Sequence, residues 1–425
     1  RYSDLKLWLD QHMELGYGPT GTTQEGNAYC AYAGQFLVPA VYACQSVGDY
    51  GLDAAFYSRE WWKLYMHAFS FTSDMLVIQT GVDSGNTVYA DGNLGWAAEG
   101  WASLLLGSVP YADLPYFRFH YDYNMGINCP RSSTWSYDYE RAGTVWALIY
   151  YPEDEPSWDP DGNIPSQLED TSRGVCYFRK EWTGVDDIIV SITADSHHHS
   201  HAWDEAEAFQ LGLIAFGDKY AGGPSKTRDP ANFSALLVDG NATADTVDTG
   251  VREVFETTAD GGGYAIVDGG TKYANLGLDS AKRHLLVDYS GNGGPALLST
   301  LDRLQDASSH TYTWQLNLGD ENDDGGITTS QGTESGVPMF VLSDDQGGYV
   351  KGWVLNAPGA SITTGDPFQV SASASNADIW IVLVVGQGTP PTATVTGSGL
   401  SSELEVNNAR VYYNSPSNRI VSALR

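Results

Sequence analysis

Basic residues are scarce in this chain. Lys and Arg number 22 among 425 residues, against 53 Asp and Glu, for a formal net charge of -31. A surface this acidic repels nucleic acid and anionic membranes, which argues against both as partners. It repels polyanionic sugars too, unless basic side chains line the groove or salt screens the field. Acidic excess with few lysines is also a composition of salt-adapted proteins. Cysteine is scarce as well. Cys30, Cys44, Cys129 and Cys176 fit no zinc-knuckle or redox spacing, and two disulfides or four buried thiols are both open readings. Long apolar runs are missing. The longest, IWIVLVV from Ile379, falls far short of the roughly 20 residues of a membrane span and reads as a buried strand. The chain shows no initial Met and no signal peptide. It opens on an amphipathic helix with Leu5, Trp8, Leu9 and Leu15 on one side, which reads as a mature or cleaved chain.

Aromatic residues, by contrast, are plentiful: 13 Trp, 26 Tyr and 13 Phe. With 42% hydrophobic residues this is a folded protein, and its length calls for two or three domains. Residues 1–165 read as helical with long loops. NAYCAYAGQFLVPAVYACQSVG and GLDAAFYSREWWKLYMHAFS carry apolar residues at helical spacing. GNLGWAAEGWASLLLGS and DYERAGTVWALIYY are shorter helical candidates, and YPEDEPSWDPDGNIPSQLED reads as a linker. From about residue 171 the pattern changes to short runs rich in β-branched and aromatic residues between Gly, Asn and Asp turns. Examples are GVCYFRKEW, DIIVSITAD, FSALLVDG, YAIVDGG, RHLLVDYS, TYTWQLNL, YVKGWVLN and DIWIVLVVG. The expected architecture is α+β and multidomain: a helical part over 1–165, a central antiparallel β-sandwich over 166–365, and a C-terminal β-sheet segment over 366–425.

Several motifs resemble a known family when taken in order. TTQEGNAYCAYAGQFLVPAVYA is similar to the Glu-Gly-X-X-Tyr-X-X-Tyr helix of heparinase II/III-like polysaccharide lyases. HSHAWDEAEAFQLGLIAFGDKYA resembles that family's His-X-His-X-X-Asp segment running into an apolar strand. FSALLVDG and HTYTWQLNL resemble later strands of the same sheet. The resemblance implies a partial (α/α) toroid followed by antiparallel β-sheets. It implies cleavage of a uronate-containing polysaccharide, sulfated or not, by β-elimination, in a secreted protein. Two positions depart from the family pattern. The chain begins downstream of a His-Asn-Trp type motif, so a separate N-terminal fragment completing the toroid is an expected partner. Phe233 and Ser234 stand where His-Asn is common.

β-Elimination needs one group that neutralises the uronate carboxylate, one that takes the C5 proton and one that protonates the leaving oxygen. His, with an ordinary pKa of about 6.5, accepts at neutral pH; Tyr, at about 10, donates readily. The resemblance places Tyr29 and His199 in the catalytic roles. Asn27 and Tyr32 are expected to line the substrate. Arg pairs with two carboxylate oxygens at once, which makes Arg118, Arg179 and Arg228, with Lys226, the candidate substrate cations. Trp61, Trp96, Trp101 and Trp182 are candidates for stacking on sugar rings, with core packing the competing reading. His201 and Asp218 match the family's metal-ligand pattern, and a zinc held there would be structural. Its third ligand is open among His197, His284 and water. DENDDGGITTSQ has calcium-loop spacing from Asp320 to Asp324, but Gln331 stands at its twelfth position and strands flank it, so an acidic hairpin turn is the better reading. No organic cofactor is expected. Sequons at Asn232 and Asn241 matter only in a glycosylating source. The competing class is a non-catalytic glycan-binding or surface-structural protein on a degenerate lyase fold.

Self-repulsion among the acidic residues predicts a salt response. Raising KCl from low ionic strength to about 1 M, where the screening length falls to about 3 Å, is expected to raise the thermal midpoint. A midpoint that is flat or falls with salt contradicts this.

Overall fold

A computed structural model of the chain describes residues 2–20, 26–71, 77–79, 101–124, 146–182, 186–196, 208–222, 233–243, 249–318 and 326–425. The first part is helical: α1 (Tyr2–Gly16), α2 (Gly26–Ser46), α3 (Asp53–Tyr57), α4 (Trp61–Ala68), α5 (Trp101–Leu105) and α6 (Leu114–Asn124). A small hairpin of β1 (Phe69–Phe71) and β2 (Val77–Gln79) follows α4. The stretch expected as one helix over GLDAAFYSREWWKLYMHAFS is two, because Glu60 takes a positive φ of 40° between them.

The rest is antiparallel sheet. β3 (Gln167–Asp170), β4 (Val175–Arg179), β5 (Ile188–Thr193), β6 (Leu211–Ala215) and β7 (Asp218–Ala221) form a five-stranded sheet in simple sequence order. A ten-stranded sheet follows, from β8 (Leu236–Val238), β9 (Val251–Thr257), β10 (Gly263–Asp268), β11 (Ser280–Asp288), β12 (Ala296–Leu316), β13 (Thr328–Glu334), β14 (Val337–Ser343), β15 (Gly348–Asn356), β16 (Ser361–Thr363) and β17 (Phe368–Gln387). A short helix, α7 (Gly270–Ala274), links β10 to β11. The last sheet has four strands: β18 (Ala393–Thr396), β19 (Glu403–Val406), β20 (Ala409–Asn414) and β21 (Arg419–Leu424). β17 lies between β15 and β12 in the middle of the large sheet. Position 366, where a C-terminal segment was expected to start, lies in the turn between β16 and β17 of this one sheet, and the separate sheet starts at Ala393.

The sheets stack as layers, and the alternation of side chains along single strands shows how. On β4, Val175 and Tyr177 pack with Trp62, Tyr65 and Phe117 of the helical layer. Cys176 and Phe178 turn the other way, towards the ten-stranded sheet. On β17, Ile379, Ile381, Leu383 and Val385 join that same core. Trp380, Val382 and Val384 face Leu404, Val406 and Val411 of the C-terminal sheet. IWIVLVV is apolar without alternation because the strand is covered on both faces. The order is helices, five strands, ten strands, four strands. The described helices make a layer on the sheet, a coarser arrangement than the partial toroid the resemblance implied.

Trp380 tests the stack. It is buried, and its indole N–H donates to Ser299 Oγ at 2.9 Å. Trp380→Ala is expected to cost about 3–5 kcal/mol of unfolding free energy, whereas Thr394→Ala on the exposed edge strand should stay within about 0.5 kcal/mol. Equal effects in denaturant titrations contradict the layer assignment.

Candidate active site

Helix α2 carries Asn27, Tyr29 and Tyr32 near its N-terminal end and packs against α5. Tyr29 and Tyr32 are three apart in sequence on this helix. Their side chains lie outside the described ones, as does that of Trp101. So do residues His197, His199, His201, Lys226, Arg228, Trp96 and the Asp320–Asp324 loop. Cys44 and Cys176 are both buried free thiols; Cys30 and Cys129 are not described at the side-chain level.

Arg118 and Arg179, the candidate substrate arginines that are described, are committed elsewhere, which corrects the expectation that they bind substrate. Arg118, on α6, donates from Nε to Asp122 at 3.3 Å and from Nη1 to the carbonyls of Pro152 (2.7 Å), Glu153 (3.2 Å) and Glu155. Its guanidinium lies over the Tyr151 ring. The acidic linker has wrapped its carbonyls around the cation, so Arg118 fastens 152–155 to α6. Arg179 is buried on β4. Its Nη2 pairs with Asp187 Oδ2 at 2.6 Å, Nε donates to the Glu181 carbonyl at 2.7 Å, and Nη1 reaches the Met66 carbonyl. Its donors join α4 to the five-stranded sheet and leave no open fork for a uronate.

Around Arg179 lies a buried polar cluster at the junction of helices and sheet. Trp182 sits edge-on to His67 and His120, with centroids 5.3 and 6.4 Å away, and under the Arg179 guanidinium. At 5% exposure it is a packing residue, as is Trp61 at 2%, and neither offers a face to a sugar. His67 Nδ1 is 2.6 Å from the Lys63 carbonyl and Nε2 is 2.8 Å from that of Pro165. Burial, reinforced by the Arg179 charge and opposed by these carbonyls, pushes the His67 pKa down to about 4. Burial and the same charge lower His120 well below the ordinary range. Burial pushes the Asp187 carboxyl up to about 6, and the guanidinium with two backbone amides holds it ionised at neutral pH.

Asp218 is the described member of the expected metal pair. It opens β7 and is 7% exposed, beside the tight turn that pairs it with Ala215. His284, one open choice for a third ligand, is on β11, whose alternate residues Arg283 and Leu285 face the five-stranded sheet. His284 turns the opposite way and meets the Tyr264 hydroxyl at 2.7 Å under the C-terminal sheet. The ten-stranded sheet stands between it and Asp218, so His284 cannot join that site. Among the described residues no group of three or more His, Cys, Asp or Glu is placed to hold a metal ion. Among them, too, no helix is long and apolar enough to cross a membrane.

Sequence reasoning missed the residues on either side of the histidine segment. Lys272 of α7 pairs with Asp195, both nearly fully buried. Arg283 grips Asp302 through two contacts of 2.6 Å. Nothing in the sequence links these pairs; only the Gly-Gly step before Lys272 marks a close approach.

No protein-family model matches the sequence, and no curated protein matches it. The fold is similar to solved structures. A heparan sulfate lyase HepC mutant from Pedobacter heparinus superposes with a TM-score of 0.65 at 12% identity, covering 99% of this chain and 61% of that one. A heparinase III superposes at 0.59 with 11% identity, covering 99% and 63%. A further heparinase III gene product does so at 0.61 with 11% identity, covering 100% and 62%. This chain thus spans about three fifths of the length of each, and the likeness is one of fold.

The His67 shift predicts acid sensitivity. Its folded pKa of about 4 lies below the ordinary 6.5, so the stability it confers is present above about pH 6.5 and lost as pH falls towards 4. At about 1.4 kcal/mol per pKa unit the loss is roughly 3 kcal/mol. His67→Gln should flatten this part of the profile in urea titrations between about pH 7 and pH 4. A wild-type and variant difference that is independent of pH overturns the assignment.

Proposed function

We propose that this chain is the helical-layer and β-sheet portion of a secreted polysaccharide lyase. It cleaves a uronate-containing polysaccharide by β-elimination. The observation that supports this is the heparinase-like fold along essentially the whole chain at only 12% identity or less, together with the ordered motif set that shares that layout. The acid–base pair in this reading is Tyr29, on the α2 helix, and His199, in the segment between β5 and β6. One takes the C5 proton and the other protonates the C4 oxygen as the bond to it breaks. Asn27 and Tyr32 line the sugar. With Arg118 and Arg179 committed to protein carbonyls and carboxylates, Lys226 and Arg228 are the remaining expected cations for the uronate charge. A helical segment outside this chain would complete the toroid. His201 and Asp218 would be two of the ligands of a structural zinc, which would brace the fold.

A second reading has its own observation. Phe233, which stands with Ser234 where the family commonly has His-Asn, is buried in a small apolar cluster with Ala235, Leu237 and Ala242. A chain that has filled this position with a core side chain is suited to glycan binding without turnover.

Incubating the full protein with alginate, ulvan and heparan sulfate separates the two. A lyase releases products with a C4=C5 double bond that absorbs in the ultraviolet. Tyr29→Phe and His199→Ala are each expected to lower kcat by about 10²–10⁴-fold while the far-ultraviolet dichroism is kept. Absence of the absorbing product on every uronate polymer, with binding retained in both variants, leaves the binder.

A further inference from the structure

The two chain flanks of the histidine segment are built in the same unusual way. Asp195, just before it, has φ +57°, and Phe209, just after it, has φ +66°. Left-handed backbone is uncommon outside glycine, and for a side chain as bulky as Phe it is an outlier that its surroundings must hold. In both cases a buried cation from the ten-stranded sheet side does so. Lys272 Nζ pairs with Asp195 Oδ2, with side chains 1% and 2% exposed. Arg283, fixed on Asp302, donates its Nη1 to the Phe209 carbonyl and lies over the Phe209 ring at 5.4 Å. Tyr273 fills the space between. Its ring lies on Phe209 with centroids 4.6 Å apart, and its hydroxyl donates to the Leu236 carbonyl at 3.0 Å, with that of Ala208 at 3.3 Å.

The flanks are also tied to each other and to the sheet below. The Phe209 amide donates to the Thr193 carbonyl at 2.9 Å, the Thr193 amide to that of Gln210 at 3.1 Å, and the Ser196 amide to that of Arg173 at 2.9 Å. The Gly250 amide donates to the Asp195 carbonyl at 3.1 Å. A Cβ on Gly250 would stand 1.9 Å from the Ala194 carbonyl oxygen, and one on Gly269 would stand 2.2 Å from the Tyr273 ring. Backbone this closely packed leaves the flanks one arrangement.

We infer that Lys272, with Tyr273 and Arg283, is a positioning device for the segment that carries His199: α7 and β11 fix the two chain ends from which that segment starts. Lys272 touches no substrate in this scheme. It acts by holding Asp195 in a backbone conformation that a free chain would leave. The catalytic consequence rests on the reading of His199 as an acid–base residue; the clamp itself does not.

The test uses the full chain with Lys272→Met and Lys272→Arg, read by amide hydrogen exchange and lyase kinetics. In Lys272→Met the amides of Ser196, Phe209 and Gly250 are expected to exchange at least about tenfold faster while those of Leu298 and Leu383 stay protected. Lys272→Arg should restore most of the protection. On a uronate polymer the Met variant is expected to lose roughly ten- to a hundredfold in kcat with KM nearly unchanged, because misplacement of a reacting group shows in kcat. Lys272→Met/Asp195→Asn, which leaves no lone buried charge, replaces the single variant if that fails to fold. Unchanged exchange at the three amides overturns the inference. So does a loss spread equally to Leu298 and Leu383. If exchange responds as expected and the wild type cleaves no polymer, the lyase reading falls and the clamp stands.

Discussion

The pairing of β12 with β17 is the constraint on which the rest of the molecule depends. Two strands of 21 and 20 residues run antiparallel through the middle of the ten-stranded sheet, covered on both faces over residues 296–302 and 379–386. Each layer on either side is placed by the residues that alternate along them. The five-stranded sheet rests on one row of aliphatic side chains and the C-terminal sheet on the other, which includes Trp380. Burial on both faces leaves polar groups few choices, and three pairs bridge neighbouring strands: Ser299 with Trp380, Arg283 with Asp302, Tyr264 with His284.

Charge has the same economy. The chain has few cations, and three of the described ones join separate elements of the fold. Arg179 joins helix α4 to the five-stranded sheet; Arg118 joins α6 to the linker; Lys272 joins α7 to the flank of the histidine segment. In the proposed lyase reading, the approach of an acidic polymer depends on a small remainder of basic residues and on salt to screen the repulsion.

The fold was largely legible before the structure. Short β-branched runs between turn residues became strands in nearly every instance quoted, while the last four residues of the stretch read as a linker over 151–170 form β3. The helical part read less well. Glu60 broke an apparently continuous helical pattern, since positive φ at a single residue leaves no mark in apolar spacing. The boundary at 366 failed for another reason: a strand in the middle of a sheet and one that begins a new sheet look alike until their partners are known. Among the site residues, Arg118 and Arg179 were chosen for their chemistry, which is sound for an open guanidinium. Both turned out to be closed by carbonyls distant in sequence.

The sequence alone determined what depends on neighbours along the chain: strand and turn alternation, the absence of a spanning helix among apolar runs, the acidic surface, and the order of the motifs. Tertiary structure decided what depends on neighbours across it. It turned His284 away from Asp218, because successive residues of a strand point to opposite faces. It buried Phe233 and Trp182. It brought Lys272 to Asp195 and Arg283 to Phe209, since a buried charge is tolerated only where the fold delivers its partner.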